Sequence, residues 1–391
     1  MRRIGMIIFS LILFITTFCV YKYETSGLPN LDYKRPSINI KSEKYGTITN
    51  IAYHRKESLK SWILFLGVKD KETSLYCLNV ENGKVQKIKS YETHPNLKNV
   101  LLFNDGFVDN SIITAYDKGI CKIQIDNRED ENGNTIFEEN KNLEKNSKIP
   151  IQNFENATSM DVKEKLYYTL KGDKLIYSRN IGNSRNSDVF HFMKNKKIPE
   201  YVTYYKRPYE VVNFNCIDEI LSYTKLEKSG LNLYYIKFND EGKTSLEIKN
   251  VVHAKGLKND YGIIGIRDNQ NKFEVFCKRR NDITMVLDKL DKNTDILGQV
   301  PDVDIITYNK EYTAVYTSFD EKHNGKIIVN GNAQASKVIV NNPKLLSPVR
   351  LIQYYVGSKK IEKVMFFTYE NDSVKINICD IDGKNLKIIE S

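Results

Sequence analysis

The sequence predicts an all-β fold, a ring of about seven four-stranded sheets behind one N-terminal apolar helix. Short alternating strands are separated by polar glycine turns, the turns recur at a roughly constant interval, and helical periodicity is weak beyond the first apolar run. The composition agrees, since 25 tyrosines and 17 phenylalanines stand against a single tryptophan, a balance that suits half-buried strands.

The apolar run is the first element. Arg2 and Arg3 precede an almost unbroken apolar stretch from Ile4 to Val20, and Tyr21, Lys22, Tyr23 and Glu24 follow it. At ~1.5 Å per residue the stretch makes a helix about 25 Å long, close to the thickness of the hydrocarbon core. The basic residues in front of it hold the N-terminus in the cytoplasm and place everything after it outside. No alanine occurs before Ala52, so the usual small-residue cleavage site is missing and a retained anchor is expected. Cys19 follows Phe18, where a lipoprotein box needs a small residue. The chain therefore divides into residues 1–27, a cytoplasmic stub and transmembrane signal anchor; residues 28–45, a tether in which Ser37-Ile38-Asn39-Ile40 is placed to add an outer strand to the last sheet and close the ring; and residues 46–391, the ring itself. The expected location is the cell membrane, crossed once through residues 4–20, with the ring extracytoplasmic. Export argues against nucleic acid as a partner, and the formal charge of +10 is spread along a lysine- and asparagine-rich chain rather than gathered in a patch.

The repeat comes next. Its clearest unit is an alternating strand, a polar turn and a second strand, as in Leu75 to Val80, Glu81-Asn82-Gly83-Lys84 and Val85 to Ile88. The pattern returns at Tyr234 to Phe238 before Gly242, and at Ile376 to Asp380 before Asp382-Gly383. Weaker copies at Gly133, Gly182, Asp282 and Gly331 complete a register of about fifty residues per unit. Upstream of each turn lies an aromatic or β-branched run, including Trp62 to Val68, Ile112 to Tyr116, Leu166 to Leu170 and Val364 to Tyr369; before several of these lies a further candidate strand, such as Ile48 to Tyr53 and Val303 to Tyr308. Four short strands per unit describe a propeller blade. Each sheet has two apolar faces that only neighbouring sheets can cover, and a closed ring leaves none exposed. Seven blades fit one register; six or eight also fit the spacing.

In this pattern, residues 46 to 391 resemble bacterial WD40-like, TolB-like and lactonase-like β-propellers. The resemblance implies architecture and no catalytic residues. The Gly-His and Trp-Asp signatures of WD40 repeats are absent.

Chemistry is sparse along the chain. There is no GxGxxG after a strand, no Walker A loop, no GxSxG and no HExxH. The six cysteines form no CxxC; Cys77, Cys121, Cys277 and Cys379 fall on third strands of different units and read as buried free thiols. The five histidines occupy different places in the repeats, which points to surface positions. Asp126 to Asn140 matches several positions of an EF-hand loop, but Arg128 stands where the first carboxylate is needed, so a solvated hairpin turn is expected. No metal or cofactor is called for. The most suggestive stretch is Tyr204, Tyr205, Lys206, Arg207, Pro208 and Tyr209, where aromatic faces for stacking alternate with cations, in the longest interval between turns. Such a set suits an anionic glycan or a peptide.

The expected function is a non-catalytic binding or scaffolding module for an envelope protein, a peptide or an anionic wall polymer, with Tyr204, Tyr205, Lys206, Arg207 and Tyr209 as the binding residues. Its rivals are a hydrolase or lyase acting on a carbohydrate or lactone in the central funnel, and an accessory sensor subunit of a membrane complex. Ionisable side chains meeting on the innermost strands would favour the enzyme.

Overall fold

A computed structural model describes most residues between 34 and 389; residues 1–33, the longer connections 54–61, 93–100, 140–165, 194–199 and 204–209, and shorter stretches elsewhere lie outside it, and side chains are described mainly in the first and the last three sheets. The predicted membrane segment, residues 4–20, lies outside the described residues. Among those residues no helix is long and apolar enough to cross a membrane.

The described residues form seven antiparallel sheets with strands in sequence order, one of five strands and six of four. Sheet one runs from Ile40 to Glu92, sheet two from Leu101 to Glu139, sheet three from Leu166 to Thr203, sheet four from Glu210 to Ile248, sheet five from Val251 to Asp291, sheet six from Val303 to Asn342 and sheet seven from Leu345 to Ile389.

The turn chemistry acts as the sequence implies. In sheet one, the Asn79 side chain accepts the Glu81 N–H at 2.9 Å, and the Gly83 N–H donates to the Asn79 carbonyl at 2.8 Å. Gly83 adopts a φ of 76°, a left-handed conformation that glycine reaches without steric cost. The same loop recurs in sheet seven, where the Gly383 N–H donates to the Asp380 carbonyl at 2.8 Å and Gly383 has a φ of 87°. Asp380-Ile381-Asp382-Gly383 is thus a hairpin turn. The EF-hand-like stretch is likewise interrupted by a hairpin, with Glu129 paired to Thr135.

Five of the recurring turns fall between the third and fourth strands of their sheets and the Gly83 turn between the fourth and fifth strands of the five-stranded sheet one, whereas Gly182 falls between Lys174–Ile181 and Asn186–Met193, the second and third strands of sheet three. The reason is local. Strand Leu166–Lys171 already pairs with Lys174–Ile181 across a two-residue gap, so the unit's first hairpin starts later than a uniform register allows.

Successive residues of a strand cover opposite faces of the sheet. In sheet six, Ile305, Ala314 and Tyr316 pack toward sheet five, while their neighbours Ile306 and Val315 pack toward sheet seven. The first and last sheets share one core: Ile63, Phe65 and Leu78 of sheet one meet Ile352, Met365, Phe367 and Ile378 of sheet seven. Burial of such aliphatic and aromatic groups, about 1.5–3 kcal/mol each, joins the ends of the chain.

The tether behaves differently from expectation. Ile40–Ser42 adds to sheet one by pairing with Gly46–Ile48, and not to the outer edge of sheet seven. Tyr45, in the turn, packs edge-on against Phe65 with ring centroids 5.4 Å apart and lies in the core shared with sheet seven. Gly46 allows this turn, since a Cβ there would meet the Val68 carbonyl oxygen at 2.2 Å and its φ is 72°. Further upstream, the Lys34 N–H donates to the Gly298 carbonyl at 3.0 Å and the Val300 N–H donates to the Lys34 carbonyl at 2.8 Å.

Candidate functional site

The first strand of each later sheet lies against an early strand of its neighbour; those of sheets six and seven, Val303–Tyr308 and Leu345–Val356, touch directly. At this seam gathers a dense group of ionisable side chains from three consecutive sheets. His253 comes from Val251–Gly256 of sheet five, Asp302 and Asp304 from the start of sheet six, Arg350 from sheet seven, and Asp295 from the connection between sheets five and six.

All three aspartates are 1% exposed or less. Isolated carboxylates at such depth are untenable, so each must be engaged. They are engaged in a regular way. Asp295 Oδ2 accepts the Ser347 N–H at 2.9 Å, Asp302 Oδ2 accepts the Val349 N–H at 3.2 Å, and Asp304 Oδ2 accepts the Leu351 N–H at 2.9 Å. Residues 347, 349 and 351 alternate along the strand, so these donors share the edge that faces sheet six. Pro348 sits inside the bulge between Leu345 and Val349, where the ladder to the next strand is interrupted and the missing N–H costs nothing. The carboxylates of one sheet therefore cap the inner edge of the next.

The surrounding bonds hold the acids in place. Asp302 Oδ1 accepts the Val303 N–H at 2.8 Å, and Arg350 Nη1 donates to Asp302 Oδ2 at 2.5 Å. Thr317 Oγ1 accepts the Asp302 N–H at 2.9 Å and donates to the Ser347 carbonyl at 3.0 Å. The Ser347 hydroxyl donates to the Val300 carbonyl. Asp295 Oδ1 accepts the N–H groups of Leu297 and Gln299, each at 2.9 Å. Burial pushes the Asp295 carboxyl above its ordinary value, against the opposing pull of the Gln299, Ser347 and Leu297 amides. His253 Nε2 lies 2.8 Å from the Pro301 carbonyl, an acceptor only, so this nitrogen carries the proton; it stands 3.8 Å from Asp302 Oδ1.

This arrangement can hold sheets together with charge-assisted bonds, each worth about 1.5–3 kcal/mol. It is poorly arranged for nucleophilic catalysis. The Ser347 and Thr317 hydroxyls both donate to carbonyls, Asp302 faces amides and a guanidinium, and the described imidazole nitrogen contact is a donor.

Tyr204, Tyr205, Lys206, Arg207 and Tyr209 lie outside the described residues; the strands on either side, Glu200–Thr203 and Glu210–Ile217, belong to sheets three and four. The cysteine reading holds where side chains are described, since Cys77, Cys277 and Cys379 are buried free thiols. Burial raises the Cys379 thiol to about 12. The histidine reading needs correction: His253 is 7% exposed, buried because its ring bonds across to the next sheet. The three buried aspartates, which form an acid lock between the sheets, are not singled out by the sequence reading. The lock's signal is Pro301-Asp302-Val303-Asp304, two aspartates on one face of an otherwise apolar strand, a pattern that requires specific partners. Among the described residues no group of side chains is placed to hold a metal ion.

No sequence-family model matches the chain, and no curated protein matches it in sequence. Solved structures do share its fold. An uncharacterized protein from Listeria monocytogenes EGD-e aligns at 13% identity with a TM-score of 0.50, over 91% of this chain and 97% of that one. A Mycobacterium tuberculosis puromycin-hydrolyzing peptidase aligns at 8% identity with a TM-score of 0.53, over 92% of this chain; the chain spans 56% of that peptidase. TolB from Acinetobacter baumannii aligns at 9% identity with a TM-score of 0.38, over 88% of this chain and 79% of TolB. The fold is a β-propeller, in line with the general resemblance drawn from the sequence.

Proposed function

We propose that the chain is a seven-bladed propeller held outside the cell membrane by residues 4–20, and that it binds or scaffolds an envelope protein, a peptide or an anionic wall polymer. The observation that carries the scaffold reading is the seam between sheets six and seven, where buried carboxylates are committed to strand amides and to Arg350. Ionisable side chains on the inner strands there serve rigidity. A rigid ring with large rims suits recognition by connecting segments, and the aromatic and basic stretch Tyr204 to Tyr209 is the binding segment in this reading.

The funnel-enzyme reading draws on one observation, the meeting of His253, Asp302 and Arg350. Both readings are tested with the full chain solubilised from membranes. Affinity capture from envelope extract should enrich a defined set of partners, and Tyr205→Ala with Arg207→Ala should reduce it at least tenfold while the circular dichroism spectrum is unchanged. Equal capture by the double variant overturns the binding assignment. Turnover of an ester, lactone or glycoside panel that is abolished by Arg350→Met in a folded protein would replace scaffolding with catalysis.

A further inference from the structure

The connection between sheets five and six is residues 292–302. Its tip carries Ile296 and Leu297, which are 41% and 38% exposed. The tip is held in that attitude by the buried Asp295, whose carboxylate accepts the Leu297 and Gln299 amides on one oxygen and the Ser347 amide on the other. Two exposed aliphatic side chains on a braced loop are an interaction feature.

The chain itself says what lies opposite. Lys34 bonds to this same loop through Gly298 and Val300. Only Tyr21 to Tyr33 separate that contact from the apolar run ending at Val20, a reach of at most about 45 Å when fully extended. In the anchored reading, the first described contact between the chain and the ring beyond the membrane segment is at this rim. Exposed cations stand beside the loop: Lys34 itself, Lys322 in the turn whose His323 ring bonds to the Thr294 carbonyl, and Lys344 in the connection between sheets six and seven, against Asp291, Asp320, Glu321 and Glu370. The opposite rim, marked by the Val356–Lys359 hairpin, is one strand length away, at most about 40 Å for the 12 residues of Leu345–Val356.

Resting on the anchored reading above, we infer that the rim bearing residues 292–299 faces the outer surface of the bilayer in which this chain is anchored, with Ile296 and Leu297 entering the interfacial layer and the lysines beside them meeting lipid headgroups. Aliphatic side chains flanked by cations are the usual composition of such a contact.

The test uses the full chain reconstituted in phosphatidylcholine–phosphatidylglycerol vesicles, with a benzophenone photo-crosslinking residue at Leu297 or, in a separate variant, at Val356. Both positions are exposed, and the same label at Ile296 serves if the first fails to fold. Lipid adducts should form at 297 at least fivefold more than at 356. An anchored chain that resists alkaline extraction yet labels equally, or more at 356, overturns this orientation alone. A chain released by alkaline extraction overturns the anchor and the orientation with it. Chain-to-chain adducts at 297 would assign the loop to a second copy and overturn the lipid contact.

Discussion

Replacing Asp302 by alanine is the sharpest probe of the acid lock. The carboxylate accepts the Val303 amide at 2.8 Å, the Val349 amide at 3.2 Å and Arg350 at 2.5 Å, and the residue is 1% exposed. Alanine leaves the Val349 N–H without its charged acceptor, a cost of about 1–3 kcal/mol. Breaking a fully buried pair by removing one member costs about 3–5 kcal/mol, but the Arg350 side chain is 17% exposed and recovers water, which places the pair loss near the lower end. These contributions overlap, so the variant should lose about 3 kcal/mol in denaturant unfolding. Exchange of the Val349 amide should accelerate about a hundredfold, the factor that corresponds to that energy. Asp302→Asn keeps one acceptor oxygen and should lose about half as much. A double-mutant cycle with Arg350→Met should return a coupling of about 1–3 kcal/mol. If Asp302→Ala costs less than about 1 kcal/mol, or the Val349 amide exchanges at the wild-type rate, the carboxylate does not hold the seam.

Gly383→Ala should cost more than Gly83→Ala, although both residues have positive φ. At Gly83 a Cβ meets nothing within 4 Å, so the cost is the left-handed conformation alone, about 1–2 kcal/mol, and Gly83→Asn should recover part of it; at Gly383 the Cβ would also meet the Ile339 carbonyl oxygen at 2.4 Å. Equal midpoints in thermal unfolding would refute the distinction. Acid should weaken the fold through Asp380, whose carboxyl is held below its ordinary value first by the hydrogen bond from Lys363 and also by Asn385. Because the folded value is depressed, its contribution is fully present above the unfolded value, about pH 4, and is lost as pH falls through the folded one. Lys363→Met should therefore flatten the acid limb of the unfolding midpoint measured from pH 6 to pH 2. Asp295 acts with the opposite sign: its folded value is raised by burial, so its contribution is complete below pH about 4 and declines as pH rises through the folded value.

Strands and turns were legible one unit at a time because their causes are local. Trp62 to Val68 and Val364 to Tyr369 are aromatic or β-branched runs, and both emerge as the strands they suggested, within Trp62–Lys69 and Lys359–Glu370. Gly83 and Gly383 mark their hairpins because only glycine enters those conformations freely. The placement of Gly182 was misread for the complementary reason: a glycine marks a hairpin without saying which pair of strands it joins. The segment around Ile40 illustrates the same limit, since its alternation is equally suited to either sheet at the junction, and Tyr45 packing into the shared core accompanies pairing with sheet one.

By itself, then, the amino-acid order determined which residues extend, where the chain reverses, and that many similar sheets follow one another, since these depend on side-chain sterics and alternation within a few residues. Only the tertiary structure decided that Asp295, Asp302 and Asp304 would meet amides 47 to 52 residues away, that His253 would be buried, and that Lys34 would join the connection between sheets five and six. Those contacts pair groups distant in sequence, and the energy of a buried charge depends on what surrounds it in space, which no local pattern contains.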